Sequence, residues 1–251
     1  MISICMATYN GSVFIREQID SILDQIEIND ELIICDDCST DDTVEIINSY
    51  ADPRIKLFIN EHNLGHVKNF EKAIMLAQGN FVVLSDQDDI WCTGRLQLMK
   101  SKFSRNDKIN LVASNFDVFN ETSDYSTPFR GLGQYPSSRV GRLIGIFYGN
   151  VPYFGCTFMM KNELAALSTP FPNFIEAHDV WIGLIANTYG QTVHIEESTL
   201  KRRIHGNNLT PPTRRPITVI VKSRLILMSI YLLYVAFHSV YKKGSVEISN
   251  K

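Results

Sequence analysis

At 251 residues and 28.5 kDa, the chain is long enough for one large α/β domain with a full core, or for two small ones. With 45% hydrophobic and 20% charged residues it is globular in class rather than disordered, and a formal net charge of -3 excludes a whole-surface attraction to nucleic acid. Charge is nevertheless uneven: acidic residues dominate the early loops, while Lys201 to Arg224 holds seven Lys or Arg and no Asp or Glu.

In chain order, Ile2 to Ala7 is a short apolar run and Thr8-Tyr9-Asn10-Gly11 has turn composition. Ile15, Ile19, Ile22, Leu23 and Ile26 then fall at helical spacing. Glu31 to Cys35 repeats the strand signal, and Ser39-Thr40-Asp41-Asp42 predicts a helix start with hydroxyl and carboxylate caps. Ile55 to Ile59 is a third predicted strand, Asn60 to Gly65 a polar turn, and Val67, Phe70, Ile74 and Ala77 a third helix that Gly79 is placed to end. Phe81 to Leu84 is a fourth strand leading into Ser85-Asp86-Gln87-Asp88-Asp89. Repeated βαβ units predict a mostly parallel sheet with helices on both faces, and in such sheets ligands bind beyond the carboxyl ends of the strands.

The second half is less regular. Leu111 to Phe119 and Phe154 to Met160 read as strands, Glu163 to Leu167 and His178 to Tyr189 as helices, and Glu121 to Arg139 as a loop rich in Ser, Thr, Gly and Pro. The five cysteines, Cys5, Cys35, Cys38, Cys92 and Cys156, form no regular framework, and with no signal peptide before the first strand a reducing cytoplasm is the expected setting. Cys35 and Cys38 make a C-x-x-C, but Asp36 and Asp37 between them are a poor environment for a thiolate.

Two acidic loops, at Asp36-Asp37 and at Asp86 to Asp89, therefore open onto the same sheet edge. Oxygen ligands favour hard cations such as Mg²⁺ or Mn²⁺, and Mg²⁺ prefers one or two carboxylates together with a phosphate. Aspartate pairs in loops are also common as helix caps, so the pattern alone is weak.

Four motifs in order make it specific. ICMATYNG, ICDDCSTDDT, NLGHVKNFEKA and SDQDDIW resemble the nucleotide-sugar-binding half of glycosyltransferase family 2 over the first hundred residues, and DQDDIW resembles the bacterial rhamnosyltransferase-like enzymes of surface polysaccharide assembly. The resemblance implies a GT-A fold, with a Rossmann-like, mostly parallel central sheet, and a nucleotide diphosphate sugar donor, dTDP- or UDP-linked. Thr8 and Tyr9 would border the base or ribose, Asp36 and Asp37 would hold the base edge and ribose, and Asn63 and Gly65 would shape the pocket. Asp86 would face ribose or metal, and Asp88 would bind the divalent cation. The family inverts the anomeric carbon with a base from a helix start in the second half, which makes Asp179 of Ala177-His178-Asp179-Val180-Trp181 the candidate base. In Arg202-Arg203-Ile204-His205-Gly206, Arg203 would contact the diphosphate and His205 would complete the metal shell. Plainer alternatives stand beside these: Asp37 and Asp41 as turn supports, Gly65 as a positive-φ residue, Trp91 as core, Asp179 as a first-turn residue, Arg202 and Arg203 as solvated surface.

Leu225 to Tyr241 has no charged residue and is flanked by Lys222 and Arg224 and by Lys242 and Lys243. At 17 residues it is short of the ~20 that span a bilayer; a helix in the membrane interface fits better, and the plainer alternative is a helix packed on the domain or against a second subunit. The expected organisation is a GT-A domain over 1–215, divided into a donor half (1–105) and an acceptor half (106–215), with a helical, membrane-associated segment over 216–251. The expected acceptor is a glycan or lipid-linked sugar at the inner face of the cell membrane, with no nucleic-acid partner. A sugar nucleotidyltransferase would carry a Gly-rich, Lys-containing loop after the first strand, and Thr8 to Ser12 has no lysine. A noncatalytic nucleotide-sugar-binding module would bind without turnover.

Overall fold

The computed structural model of the protein describes residues 1–120, 136–151, 153–206 and 217–249. The predicted loop from Glu121 to Arg139 lies largely outside them, and so do Asn207 and Asn208.

The chain alternates β1 (Ile2–Thr8), α1 (Ile15–Leu23), β2 (Glu31–Asp36), α2 (Thr43–Asn48), β3 (Ile55–Ile59), α3 (His66–Leu76) and β4 (Phe81–Ser85). It continues through β5 (Ile90–Trp91), α4 (Arg95–Phe103), β6 (Ile109–Asn120), α5 (Arg139–Tyr148), β7 (Phe158–Lys161), α6 (Asn162–Ser168), α7 (His178–Tyr189), β8 (Gln191–Ile204) and α8 (Ile217–Ser249). All eight strands form one sheet in the order β3-β2-β1-β4-β7-β6-β8-β5. The four strands of the first half are mutually parallel, as the βαβ spacing predicts. The second half is mixed: β7 runs antiparallel to β4 and β6, β8 is parallel to β6, and β5 is antiparallel to β8.

Alternation along the strands divides the core in two. Cys5, Ile33, Val82, Leu84, Leu111 and Phe158 face α3, α5, α6 and α7, where Phe70, Ile146, Leu164 and Trp181 meet them. Ile4, Met6, Ile34, Val83, Val112 and Met159 face α1, α2 and α4, where Ile15, Ile19, Ile47 and Met99 are buried. Every second residue points to the same face of a strand, so both faces of a central strand are apolar when helices cover both.

Several boundaries differ from expectation for local reasons. α3 ends at Leu76, and Gly79 is spent on a close crossing: its N–H donates to Ser3 Oγ at 2.7 Å, and a Cβ there would lie 2.7 Å from the Ser3 nitrogen. The strand predicted from Phe154 starts only at Phe158, because Gly155–Thr157 wind into a 3₁₀ turn in which Thr157 donates from N–H and hydroxyl to the Phe154 carbonyl. Arg202 and Arg203 belong to the last strand rather than to a segment after it. α4 and α5 have no counterpart in the sequence expectation, and α8 extends well beyond Leu225 to Tyr241 at both ends.

Candidate active site

Register brings the acidic loops together. Pairing of β1 with β2 sets Thr8 beside Asp36, pairing with β4 sets Met6 beside Ser85, and pairing of β5 with β8 lays Ile90 next to Lys201. The loops after β1 and β4 are then locked by a two-point clamp: the Tyr9 N–H donates to Gln87 Oε1 at 2.9 Å and Gln87 Nε2 donates to the Tyr9 carbonyl at 3.1 Å. Beneath them, buried Gln18 donates to Ser85 Oγ at 2.6 Å. Tyr9 itself stays about half exposed at the rim.

Asp36 and Asp37 brace the loops around them. Asp36 is fully buried; its Oδ2 accepts from Thr8 Oγ1 (2.8 Å) and Ser39 Oγ (2.6 Å), and its Oδ1 from the Ser39 N–H (2.8 Å). Asp37 accepts from Asn60 Nδ2 and the Leu64 N–H at 2.7 Å and from the Gly65 N–H at 2.8 Å. Gly65 sits at φ +80°, a conformation that costs a side-chain-bearing residue, and exposed Asn63 ties it further by accepting the same N–H at 3.1 Å and donating to the Asp37 carbonyl. Asp41 supports the neighbouring turn through the N–H groups of Ser12 and Thr43. Asp37 and Asp41 thus support their turns through these bonds, and a base or ribose would meet carboxylates already engaged with internal donors.

Asp86, Asp88, Asp89, Asp179, Arg202, Arg203 and His205 meet where β4, β8 and α7 converge. Asp88 Oδ2 lies 2.8 Å from His205 Nε2. Burial, with the neighbouring Asp88 charge, raises the Asp86 carboxyl to about 6, and burial with Asp86 and Asp88 raises Asp89 well above the usual carboxylate range. Asp89 points inward: its Oδ1 accepts from the Arg203 N–H at 3.2 Å, and its buried Oδ2 has no hydrogen-bond partner among the described residues. The compensating cation is Arg202, which stacks over Phe154 (4.6 Å to the ring centroid) and Phe116 (5.7 Å) within electrostatic reach of Asp86, Asp89, Asp88 and Asp179.

Adjacent strand residues point to opposite sides, and the two arginines divide the work accordingly. Arg203 lies between the rings of Phe14 and Phe119 at 4.7 and 4.5 Å, pairs with Glu17 at 2.5 Å, and donates from Nε to the Asp88 carbonyl at 3.1 Å. Both arginines are 7% exposed, so neither is the solvated surface that a basic run suggests. His205 also packs against Phe14, with ring centroids 4.6 Å apart.

The donor set suits a hard or borderline divalent cation. Asp86 and Asp88 are half-buried carboxylates and His205 offers an imidazole nitrogen at hydrogen-bond distance from Asp88. Of the predicted ligands the structure brings Asp88 and His205 into contact, but among the described residues the three-residue group whose ligand atoms lie within 4.8 Å of one another is Asp86, Asp89 and Cys156, so Asp86 is not held at ligand distance from both Asp88 and His205. That group is the poorer seat: burial holds the Cys156 thiol protonated, and Arg202 already supplies its positive charge.

Asp179 opens α7 and is raised to about 6, chiefly by burial, while the N–H groups of Val180 and Gly155 oppose that rise; Val180 N lies 2.7 Å from Asp179 Oδ1. The 3₁₀ turn is thus what carries Gly155 to the carboxylate. His178 is buried in the core, its ring stacked on Phe70 (4.3 Å) and Phe171 (6.3 Å). Its two ring nitrogens have no hydrogen-bond partner among the described residues, and burial lowers it to about 3, so it is a neutral ring.

The family model described as glycosyl transferase family 2 matches residues 3–166, well over half of the chain. The chain belongs to that family. Among curated relatives, it is 35% identical over 123 residues to the Escherichia coli UDP-Glc:alpha-D-GlcNAc-diphosphoundecaprenol beta-1,3-glucosyltransferase WfgD, covering 49% of this chain and 48% of that one. It is 30% identical over 226 residues to the Shigella flexneri dTDP-rhamnosyl transferase RfbG, covering 81% and 72%. The chain thus spans about half the length of the first and more of the second. The crystal structure of S. aureus TarS 1-349 in complex with UDP-GlcNAc superposes with a TM-score of 0.71 at 19% identity, over 92% of this chain and 66% of that one. That likeness establishes a GT-A fold for this family 2 chain.

Within the family 2 frame, three residues escaped the sequence reading. Arg202 was indistinguishable from Arg203 until the strand was known, although period two already implies that they diverge. Gln87 sits inside the quoted SDQDDIW, but only the loop geometry reveals its clamp on Tyr9. Arg95 is fully buried, donating to Thr199 and to the Cys156 carbonyl under the acidic cluster, and no motif marks it.

Proposed function

We propose that this chain is an inverting, metal-dependent glycosyltransferase that moves a hexose, rhamnose or glucose being the leading candidates, from a dTDP- or UDP-linked donor to a glycan or lipid-linked acceptor in surface polysaccharide synthesis. The observation that carries the reading is the meeting of Asp179, raised to about 6, with Asp86 and the Asp88–His205 pair around Arg202. The names of WfgD and RfbG support the two donors and, for WfgD, a lipid diphosphate acceptor. Such an acceptor implies work at the cytoplasmic face of the membrane.

In this reading the base and ribose lie along Thr8, Tyr9, Asp36, Asp37, Asn63, Gly65 and Asp86. Arg203, tied to Glu17 and to the Asp88 carbonyl, holds the loop that the diphosphate faces. Asp88, Asp86 and His205 would hold Mg²⁺ or Mn²⁺, which supplies charge neutralisation for a leaving diphosphate when bound. Asp179 Oδ takes the proton of the acceptor hydroxyl as its oxygen attacks the anomeric carbon and the bond to the diphosphate oxygen breaks. A carboxylate near 6 is mostly ionised at neutral pH yet basic enough to accept that proton. Arg202 keeps Asp179 and Asp86 from rising further.

The test is release of dTDP or UDP from a panel of nucleotide sugars with and without Mn²⁺, for the wild type and for Asp179→Asn. Metal-dependent release that Asp179→Asn abolishes supports the reading. Nucleotide binding without any release under all donors overturns it in favour of a noncatalytic module.

A further inference from the structure

One side of α8 is docked and the other is bare. Tyr231 shares a 2.7 Å hydrogen bond with Thr188, Tyr234 donates to the Leu167 carbonyl and meets the Trp181 ring edge-on, Ser223 donates to Glu176 at 2.9 Å, and Leu227 is buried. These residues recur at helical spacing and form one stripe. On the remaining sides Val221, Leu225, Leu232, Leu233 and Phe237 are each more than half exposed. The stretch Thr218–His238 has a mean hydropathy of 1.8 over its most apolar window.

A second apolar row lies next to it. On α5, Val140, Ile144 and Tyr148 stand one turn apart, each more than half exposed, and Phe147 of the same helix packs edge-on against Tyr231 of α8 at 5.6 Å. Two neighbouring helices thus turn large apolar side chains outward, which isolated surface hydrophobics do not explain.

Length alone would let 21 residues cross a bilayer, at about 1.5 Å per residue against a hydrocarbon core of about 30 Å. The docked stripe rules that out, because contacts from Ser223 to Tyr234 bind the helix lengthwise to a domain with polar loops. A helix held in this way lies along a surface.

Charge selects the surface. From Lys222 to Lys243 the sequence of α8 holds four Lys or Arg and no Asp or Glu, in a chain whose formal net charge is -3. Two copies meeting through this face would bring like charges together, whereas an anionic lipid surface offers both apolar depth and counter-charge.

We propose that the outward faces of α8 and α5 form a monotopic seat for an anionic lipid bilayer, with α8 lying in the interface and its docked stripe fixing the domain above it. Ser223 contacts Glu176, three residues before Asp179, so the seat runs beside the proposed base. This deepens the location given above and rests on that reading only for the identity of the acceptor.

The experiment is cosedimentation of the full chain with phosphatidylcholine vesicles, with and without 30% phosphatidylglycerol. The double variant Leu225→Glu/Leu233→Glu is run alongside, with its fold checked by circular dichroism. The expected result is at least tenfold tighter partitioning onto anionic vesicles, loss of most of that gain in 0.5 M salt, and at least a tenfold loss in the variant. Because both substituted residues are exposed, nucleotide release from a soluble acceptor analogue is expected to be unchanged in the variant, so the lipid and transfer readings fail separately. Equal partitioning of variant and wild type, or a dimer in sedimentation analysis that the variant abolishes in place of vesicle binding, would overturn the proposal.

Discussion

His205 Nε2 lies 2.8 Å from Asp88 Oδ2, joining the end of the last strand to the loop after β4 across 117 residues of sequence. A carboxylate and an imidazole so placed are either a hydrogen-bonded pair or two arms of one cation site, and adding metal distinguishes them. Replacing Asp88 with Asn is expected to lower metal-dependent donor turnover by about 10³-fold, the order that a lost Lewis acid supplies. His205→Ala is expected to raise the Mn²⁺ concentration for half-maximal rate by about 10-fold or more with a smaller loss at saturation. Titration of initial rate with Mn²⁺ reads both, and a flat metal dependence in the wild type would sink the site.

Asp179 gives a pH signature. With its carboxyl raised to about 6, kcat/KM is expected to fall as pH drops through that value, since protonation removes the base. Asp179→Asn should lose 10²- to 10⁴-fold, the range for a positioned general base, and should show no residual acid limb belonging to this group. Profiles of kcat/KM from pH 3.5 to 8 make the comparison, and an unshifted wild-type limb near 4 would contradict the assignment.

Arg202 should control that limb from a distance. Its positive charge favours ionised Asp179, Asp86 and Asp89, so Arg202→Met is expected to move the acid limb to higher pH. Leaving buried carboxylates uncompensated should also cost about 3–5 kcal/mol of stability, by analogy with broken buried ion pairs. Chemical denaturation and the pH profile report the two effects independently.

The first half of the fold was legible because its signals are local and mutually consistent. Each strand is an apolar run bounded by turn residues, and each helix shows a single apolar face, so β1 to β4 and the loops at their ends follow from spacing. The candidate residues Asp86, Asp88, Asp179, Arg203 and His205 also come together, although they are scattered through the chain. What spacing could not reveal is tertiary. Mixed pairing of β5 to β8 depends on contacts between residues 45 to 111 positions apart, and the direction of Arg202 against Arg203 depends on the pleat of β8. The inward commitment of Asp36 and Asp37 is likewise invisible until Ser39, Asn60, Leu64 and Gly65 are in place.

Asp37 offers a stability test of that commitment. Its carboxylate accepts three hydrogen bonds from the loop between Asn60 and Gly65; without it the Leu64 N–H loses its acceptor, while Asn60 Nδ2 keeps Asn69 Oδ1 and the Gly65 N–H keeps Asn63 Oδ1. Asp37→Ala is expected to cost about 1.5–3 kcal/mol, the range for hydrogen bonds to a charged group. Asp37→Asn should cost less, because its carbonyl oxygen can still accept from the Leu64 or Gly65 N–H. Urea unfolding of the two variants checks the order.

His178 carries the last prediction, and its sign runs opposite to that of Asp179. Its ordinary value near 6.5 falls to about 3 in the folded chain, so between those values the unfolded chain binds the extra proton. Its contribution to stability is therefore complete above pH 6.5 and is lost as pH falls toward 3, with a slope approaching about 1.4 kcal/mol per pH unit. His194, lowered to about 4 by burial, acts in the same direction. Asp86 and Asp179 oppose both, because the folded chain holds their protons more tightly between about 4 and 6. The wild-type curve is then expected to be shallow on the acid side through partial cancellation. His178→Phe keeps a ring stacked on Phe70 and Phe171 and gives up two nitrogens that have no protein partner among the described residues. It should remove one proton from the balance, so that the variant gains on the wild type as pH is lowered from 6.5 to 4 and the difference is smallest above 7. Urea midpoints measured across that interval give the difference directly, and a gap that stays constant with pH would show that His178 does not remain neutral in the fold.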